Sequence, residues 1–472
     1  MGVSIWWIRR DLRVADNQAL VAAHEGGRTP IPVFIQDPKL WSEDVSGHKR
    51  LAFLAGCLEC LDKELRARGS RLYLRGGDPQ HALANLVSET DAEEICAEAD
   101  HSPFARNRDA KIADQLPLRL TNGLTVLHPG SVLKADGTPY RVFTPFSKKW
   151  RETVFAQSLQ VRQAPDHLPK PKQLRSEPLP EADPQLFAPG ESSAQERLRL
   201  FTHGNTPPIY EYARDRDRMD LEATSSLSPY LRFGTLSAAQ AVRAAQAAIE
   251  RAPDHAGREG AATWLTELIW REFYVHILFH YPQVLRSAFR SEMDQLQWKN
   301  DPQDLEAWRQ GLTGYPVVDA AMRQMNSTGW MHNRARMIVA SFLVKDLLVD
   351  WRYGERWFMQ QLIDGDPAAN NGGWQWVAGT GTDAAPYFRV FNPTTQGKRF
   401  DPSGDFVRKW IPELGQVPAE HIHEPHRMSA ELQAKYGVRI GEDYPLPIVD
   451  HSQARERALA TYGRVKNADR ES

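Results

Sequence analysis

Three cysteines in 472 residues, Cys57, Cys60 and Cys96, leave no disulfide framework and too few thiolates for a four-cysteine cluster. A reducing compartment suits such a chain. Cys57-Leu-Glu-Cys60 has redox-motif spacing, but it falls inside an amphipathic run, Arg50 to Arg68, and reads as part of a buried helix. No apolar run has the length of a membrane span, and the N-terminal one is too short for a signal peptide, which predicts a cytoplasmic protein with no membrane partner. Basic residues are not in excess: the formal net charge is −2, so contact with nucleic acid has to come from a local patch. His332 lacks a second His or Cys at ligand spacing, and no metal site is expected. Internal repeats and coiled-coil heptads are missing, and Arg455 to Ser472 read as a polar helix without an added tail.

Short apolar runs at strand length occupy Val3–Ile8, Pro30–Ile35, Arg71–Leu74, Glu94–Ala97 and Leu124–Leu127, with helical patterns between them. The alternation predicts an α/β N-terminal domain with a parallel, Rossmann-like sheet over 1–128. Its first turn, Arg9-Arg10-Asp11-Leu12-Arg13, has no glycine fingerprint for a dinucleotide. Seven prolines between Pro165 and Pro189 mark a long surface linker, taken as 129–195. From 196 to 472 the periodicity is helical, with apolar spacing of three and four over Ser237–Arg251, Ala261–Phe279, Val317–Met325 and Arg334–Asp350. An all-α domain is expected there.

Asp364 to Trp376 reads Asp-Gly-Asp-Pro-Ala-Ala-Asn-Asn-Gly-Gly-Trp-Gln-Trp, too polar for a core helix and too aromatic for a solvated loop. Two carboxylates on a tight turn, two amides, a Gly-Gly pair open to close approach and two indoles suit a bound heteroaromatic group. Ten of the fourteen tryptophans lie between Trp264 and Trp410, a density that core packing does not require and that suggests stacking surfaces or electron carriers. On Trp264-Leu-Thr-Glu267-Leu-Ile-Trp270-Arg271, the spacing puts two rings, a carboxyl and a guanidinium on one helix face. A Glu267–Arg271 surface pair is the plainer alternative. Asn333-Arg334-Ala-Arg336-Met337 opens a helix with an amide and two arginines aimed to different sides, one suited to a carboxylate partner and the other to phosphate. Thr224-Ser-Ser-Leu-Ser228-Pro is a hydroxyl-rich helix start, an anion site in its residue types.

Four stretches carry a family likeness: 264–274, 313–323 (Thr-Gly-Tyr-Pro-Val-Val-Asp-Ala-Ala-Met-Arg), 328–334 (Thr-Gly-Trp-Met-His-Asn-Arg) and 364–376. Over nearly its whole length the chain resembles the photolyase/cryptochrome flavoproteins, most closely the class I cyclobutane pyrimidine dimer DNA photolyases. The resemblance implies a helical domain, here 196–472, that binds FAD and damaged DNA. It assigns FAD to Tyr212, Thr224, Ser225, Ser226, Leu227, Ser228, Trp264, Arg271, Asn333, Arg336, Asp364, Gly365, Asp366 and Asn370, with Arg336 paired to Asp364 and Asn370 facing flavin N5. It assigns DNA contacts to Arg216, Trp270, Asn333, Arg334, Met337, Trp376, Arg389 and Gln396, and makes Glu267 the acid that hydrogen-bonds the flipped-out dimer. Trp374, Trp351 and Trp298 match the family's electron chain, from the flavin outward. The implied enzyme is a light-driven carbon–carbon lyase, a monomer that repairs dimers by electron transfer from excited reduced FAD.

Folate-binding members carry Asn-Glu where this chain has Phe104-Ala105, and Ser102–Asp109 with Gly77–His81 look more like deazaflavin-binding members. The resemblance therefore implies a deazaflavin antenna rather than methenyltetrahydrofolate, with Arg10, Arg50 and Asp100 in its pocket. The rival is a cryptochrome-type blue-light receptor without repair activity. Asn370, where plant-type receptors have Asp, and the pair Trp270 and Trp376 favour the lyase.

Overall fold

The structure, a computed structural model, describes residues 2–157, 159–181, 187–386 and 388–471, with backbone alone from 466. Parts of the expected linker, residue 158 and residues 182–186, lie outside the described residues. The chain forms two compact units, one made of 1–213, 224–282 and 363–368, the other of 214–223, 283–362 and 369–472. It passes from one unit to the other five times.

In the first unit five parallel strands form one sheet in the order β3-β2-β1-β4-β5: β1 (Val3–Ile8), β2 (Thr29–Gln36), β3 (Tyr73–Gly76), β4 (Glu94–Glu98) and β5 (Leu118–Thr121). Ile5, Ile31, Val33 and Ile95 are fully buried because helices cover a parallel sheet on both faces. The third strand runs two residues later than the apolar run Arg71–Leu74 suggests. The fifth strand is not Leu124–Leu127, which is irregular. Leu124 is buried there, but Val126 and Leu127 donate their N–H groups to the Glu272 carboxylate, so burial without strand pairing accounts for the apolar run.

Helices α1 (Gln18–His24), α2 (His48–Ala67), α3 (Pro79–Thr90) and α4 (Pro103–Ala113) alternate with the strands, and Cys57 and Cys60 lie on α2 as free thiols. The expected linker contains a 14-residue helix, α5 (Phe143–Ala156). Helix α6 (Ala238–Arg251) opens with a capping box between Ser237 and Gln240 and packs on the 26-residue α7 (His255–His280), which is capped by Asp254.

The second unit is helical: α8 (Pro316–Thr328), α9 (Asn333–Ser341), α10 (Trp351–Gln361), α11 (Pro367–Ala378, whose first two residues belong to the first unit) and α12 (His451–Glu471) position its aromatic core. Arg334–Asp350 is not one helix. After Ser341 the backbone widens into a π-turn over Phe342–Asp346, and Leu348 takes a φ of 54°, which ends the helical path before α10. Asp364–Trp376 looks too polar for a core helix, yet from Pro367 onward it is the helix α11, which buries Asn371, Trp374 and Gln375. Their amides explain it: Asn371 and Gln375 each donate to the Val284 carbonyl, and Gln375 donates also to Ser287, so polar side chains are buried with their partners supplied. No helix among the described residues is long and apolar enough to cross a membrane.

The motif 313–323 is a structural lock. Asp319, fully buried on α8, accepts from the Thr313 N–H at 2.7 Å, the Thr313 hydroxyl at 2.6 Å, the Gly314 N–H at 3.0 Å and the Tyr444 hydroxyl at 2.5 Å.

Candidate functional site

In the first unit, strand order reverses between β1 and β4, the place where an open α/β sheet leaves a crevice at its carboxyl ends. Arg10 follows β1 and Asp100 follows β4, and they meet there at 3.2 Å. Arg10 also grips Asp366 at 2.5 Å, and Arg232 donates to the Gly365 carbonyl at 2.7 Å. A small cleft runs past Arg10, Asp100, His101, Val275 and Asp366. Residues that the sequence divides between an antenna and a flavin thus belong to one charge cluster.

That cluster is crowded with positive charge. Burial, then repulsion from Arg10, pushes Arg232 down to about 9, and burial pushes Arg50 down to about 10 although Asp364 and Asp366 oppose the fall. Burial also lowers Arg271, whose guanidinium donates to the carbonyls of Leu124 at 3.0 Å and Leu231 at 3.4 Å. Asp100 is held well below the usual carboxylate range, against the upward push of burial, by Arg10. An anionic group seated beside these arginines would relieve the crowding, and a diphosphate has the charge to do so.

Thr224 to Ser228 differ from a hydroxyl-capped helix start. The short helix Ser228–Phe233 has Leu227 at its N-cap, with no side-chain cap, because Pro229 fits the first turn and Ser228 is drawn inside it. Ser226 takes a φ of 50° and sets its hydroxyl 3.4 Å from that of Thr224; Thr224, Ser225 and Ser226 stay partly accessible. Phe201 meets Tyr212 edge to face at 5.9 Å between centroids and Trp264 of α7 at a tilt at 5.2 Å.

On α7, Glu267 and Trp270 are both half-buried and lie one turn apart. Trp270 lies parallel to Phe143 of α5, with ring centroids 3.6 Å apart and planes 4° apart. The same helix pair is closed by Phe146 on Phe273, by Trp150 Nε1–H donating to Glu272 at 3.2 Å and by Arg151 donating to Thr266 at 2.8 Å. Sequence reasoning missed Phe143 and Glu272, since their partners lie more than a hundred residues away.

In the second unit, α9 begins at Asn333, and the Nδ1 of buried His332 accepts the Arg334 N–H as its cap; burial lowers this histidine to about 4, so it is neutral. Arg334 does not reach outward unpaired. It bridges to Asp217 at 2.6 Å and lies over the Phe400 ring. Arg336 donates to the Met331 carbonyl, while Arg216, Met337, Trp376 and Gln396 are half-buried and Asn333 and Arg389 exposed.

Asn370 donates to the Glu355 carbonyl at 3.0 Å and Asn371 to the Glu355 carboxylate at 3.0 Å. Burial raises Glu355 to about 7, which makes it a titratable neighbour of Asn370 that the sequence did not single out. A methyl group on Gly373 would meet nothing within 4 Å, so the helix flank there is open. Trp374 is buried among Trp308 and Phe358, its Nε1 without a hydrogen-bond partner among the described residues. Trp351 is buried and Trp298 half-buried, edge-on to Tyr462 at 6.3 Å. The described residues contain no group of three His, Cys, Asp or Glu placed to hold a metal.

The described chain thus comprises a unit with a parallel α/β sheet and a charged crevice at its carboxyl ends, and a tryptophan-rich helical unit. A family profile described as "DNA photolyase" matches residues 4–171, and one described as "FAD binding domain of DNA photolyase" matches 264–464. The deoxyribodipyrimidine photo-lyase of Escherichia coli is 41% identical over 98% of each chain. A solved bacterial class III photolyase from Agrobacterium tumefaciens superposes with a TM-score of 0.91 at 39% identity, covering 99% of this chain and 98% of the other. A cryptochrome from Synechocystis superposes at 0.88 and 29% identity, covering 98% and 99%. The chain belongs to the DNA photolyase family.

Proposed function

We propose that this protein repairs cyclobutane pyrimidine dimers in DNA with light, by electron transfer to a flipped-out dimer. The observation that carries the reading is the half-buried Trp270 ring, fixed on Phe143, one turn from the half-buried carboxyl of Glu267. A ring of this kind stacks a damaged base pair and the acid beside it hydrogen-bonds the base edge. FAD, bound and reduced, supplies the light-excited electron that opens the cyclobutane ring. The chain's own work is to bind, orient and exclude water. Thr224 to Ser228, Tyr212, Trp264, Arg271 and Asp364 to Asp366 are the proposed anchors on the first unit, where Arg232 and Arg271 suit a diphosphate. Trp298, Trp351 and Trp374 are the proposed route by which an outside reductant restores the cofactor. Arg10, Arg50 and Asp100 are the proposed antenna contacts, for a deazaflavin.

The test is a dimer-containing oligonucleotide incubated with chemically reduced protein under blue light. Intact thymines are the expected product. No restoration from protein with a full complement of FAD would transfer the reading to a receptor of the cryptochrome kind, which the likeness to the Synechocystis protein also supports.

A further inference from the structure

The Phe143–Trp270 stack has a geometry that two free rings do not choose. Ring quadrupoles favour offset or edge-to-face contact, yet these planes are 4° from parallel with centroids 3.6 Å apart. The helices around the pair hold it in place. Phe146 packs on Phe273 at 5.2 Å, Trp150 is hydrogen-bonded to Glu272, and Arg151 is hydrogen-bonded to Thr266, so α5 is fastened to α7 along several turns. Phe143 itself is buried, while Trp270 keeps part of its surface open.

We propose that Phe143, on the helix of the connecting segment, is a positioning residue for lesion recognition: it backs one face of Trp270 so that the indole is already oriented when a pyrimidine dimer stacks on its remaining surface. This rests on the reading of Trp270 as the lesion platform. An indole free to turn about its side-chain torsions would lose rotamer freedom when the dimer docks, and that cost would subtract from affinity. With Phe143 in place the cost is met during folding. Undamaged DNA, which does not enter the stack, gains nothing from the arrangement, so Phe143 acts on discrimination rather than on general DNA affinity.

The experiment uses full-length protein with FAD bound, in the dark, and compares affinity for a single-stranded oligonucleotide bearing one thymine dimer with that for the undamaged strand. Phe143→Leu is expected to weaken dimer binding roughly two- to tenfold, the range an aromatic pair spans, with undamaged affinity unchanged. Phe143→Tyr, which keeps the ring face, is expected to retain the parent ratio. Val154→Ala, a buried change at the far end of the same helix, is expected to lower the melting temperature and leave the ratio alone. If Phe143→Leu does not retain FAD, Phe143→Met, of similar volume without a face, replaces it. An unchanged ratio in the ring-deleting variant, while Trp270→Ala lowers it, would overturn the role of Phe143. An equal loss in Val154→Ala would also overturn it, by reducing the effect to helix stability. No loss in Trp270→Ala would instead remove the platform and the inference together.

Discussion

A methyl group added to Gly354 would fall 2.1 Å from Cη2 of Trp374, so this indole lies directly on the backbone of α10, one turn from Trp351. The two tryptophans expected to pass electrons are therefore set on adjoining elements by the lack of a side chain.

Trp351→Phe keeps an aromatic of similar shape and removes an oxidisable indole. It is expected to lose most photoreduction of oxidised FAD by an external reductant and to repair dimers normally once reduced chemically. Equal bleaching rates for parent and variant under the same lamp would return Trp351 to the ordinary core. Gly354→Ala is expected to cost about 1–3 kcal/mol of stability, as overpacking does, because the Trp374 ring has to shift; urea unfolding measures it.

Asp319→Asn tests the lock in the 313–323 motif. Four donors converge on the Asp319 carboxylate, and an amide offers them one oxygen and turns an NH2 toward the rest. The expected loss is about 3 kcal/mol or more, in the range of one to two buried groups left unsatisfied. Repair per folded molecule should be unchanged.

The outcome of that variant bears on what can be read from sequence. The motif names the family, yet its aspartate faces its own backbone, and only coordinates distinguish a signature of folding from one of catalysis. Strands β1, β2 and β4 are legible because a parallel sheet buries both faces and leaves continuous apolar runs. The edge strand Leu118–Thr121 is short and half-polar, and escapes notice beside the more apolar Leu124–Leu127. Helix α11 is hidden by its Asn and Gly pairs, whose poor helix propensity is overridden by amide hydrogen bonds to Val284 and Ser287. Glu267 and Trp270 could be found from helical spacing, but Phe143 and Glu355 could not, since only the folded chain brings their partners near.

Arg10→Gln should show how far Asp366 depends on its clamp. Without the guanidinium, Asp100 and Asp366 lose their shared cation, and burial then raises Asp100 where Arg10 had held it down. In the parent, the stability from Asp100 is present above its unfolded value and is lost only as pH falls through its depressed folded value. In the variant it is reduced at neutral pH, to what the Ser102 N–H and the charges of Arg9 and Arg232 still supply, for a loss of up to about 3–5 kcal/mol as when one partner of a buried pair is removed. Thermal unfolding across pH 4–8 should show a lower melting temperature throughout.

Glu355→Gln addresses the carboxyl that accepts from Asn371. Burial raises Glu355 from 4.5 to about 7, so the folded protein keeps a proton there that the unfolded chain releases. Its contribution to stability is complete below pH 4.5 and is lost as pH rises to about 7. The melting temperature of the parent should therefore fall relative to that of the variant between those values, and the gap should stay constant above pH 7. A gap independent of pH would mean that Glu355 is ionised in the folded state.

The five passages of the chain between its units make it indivisible. A cut at 195/196 leaves the sheet without α7, and the six residues 363–368 bring Asp364 and Asp366 to the first unit from between two stretches of the second. Neither half can be exchanged with a relative's half or expressed as a fragment without taking backbone from the other unit.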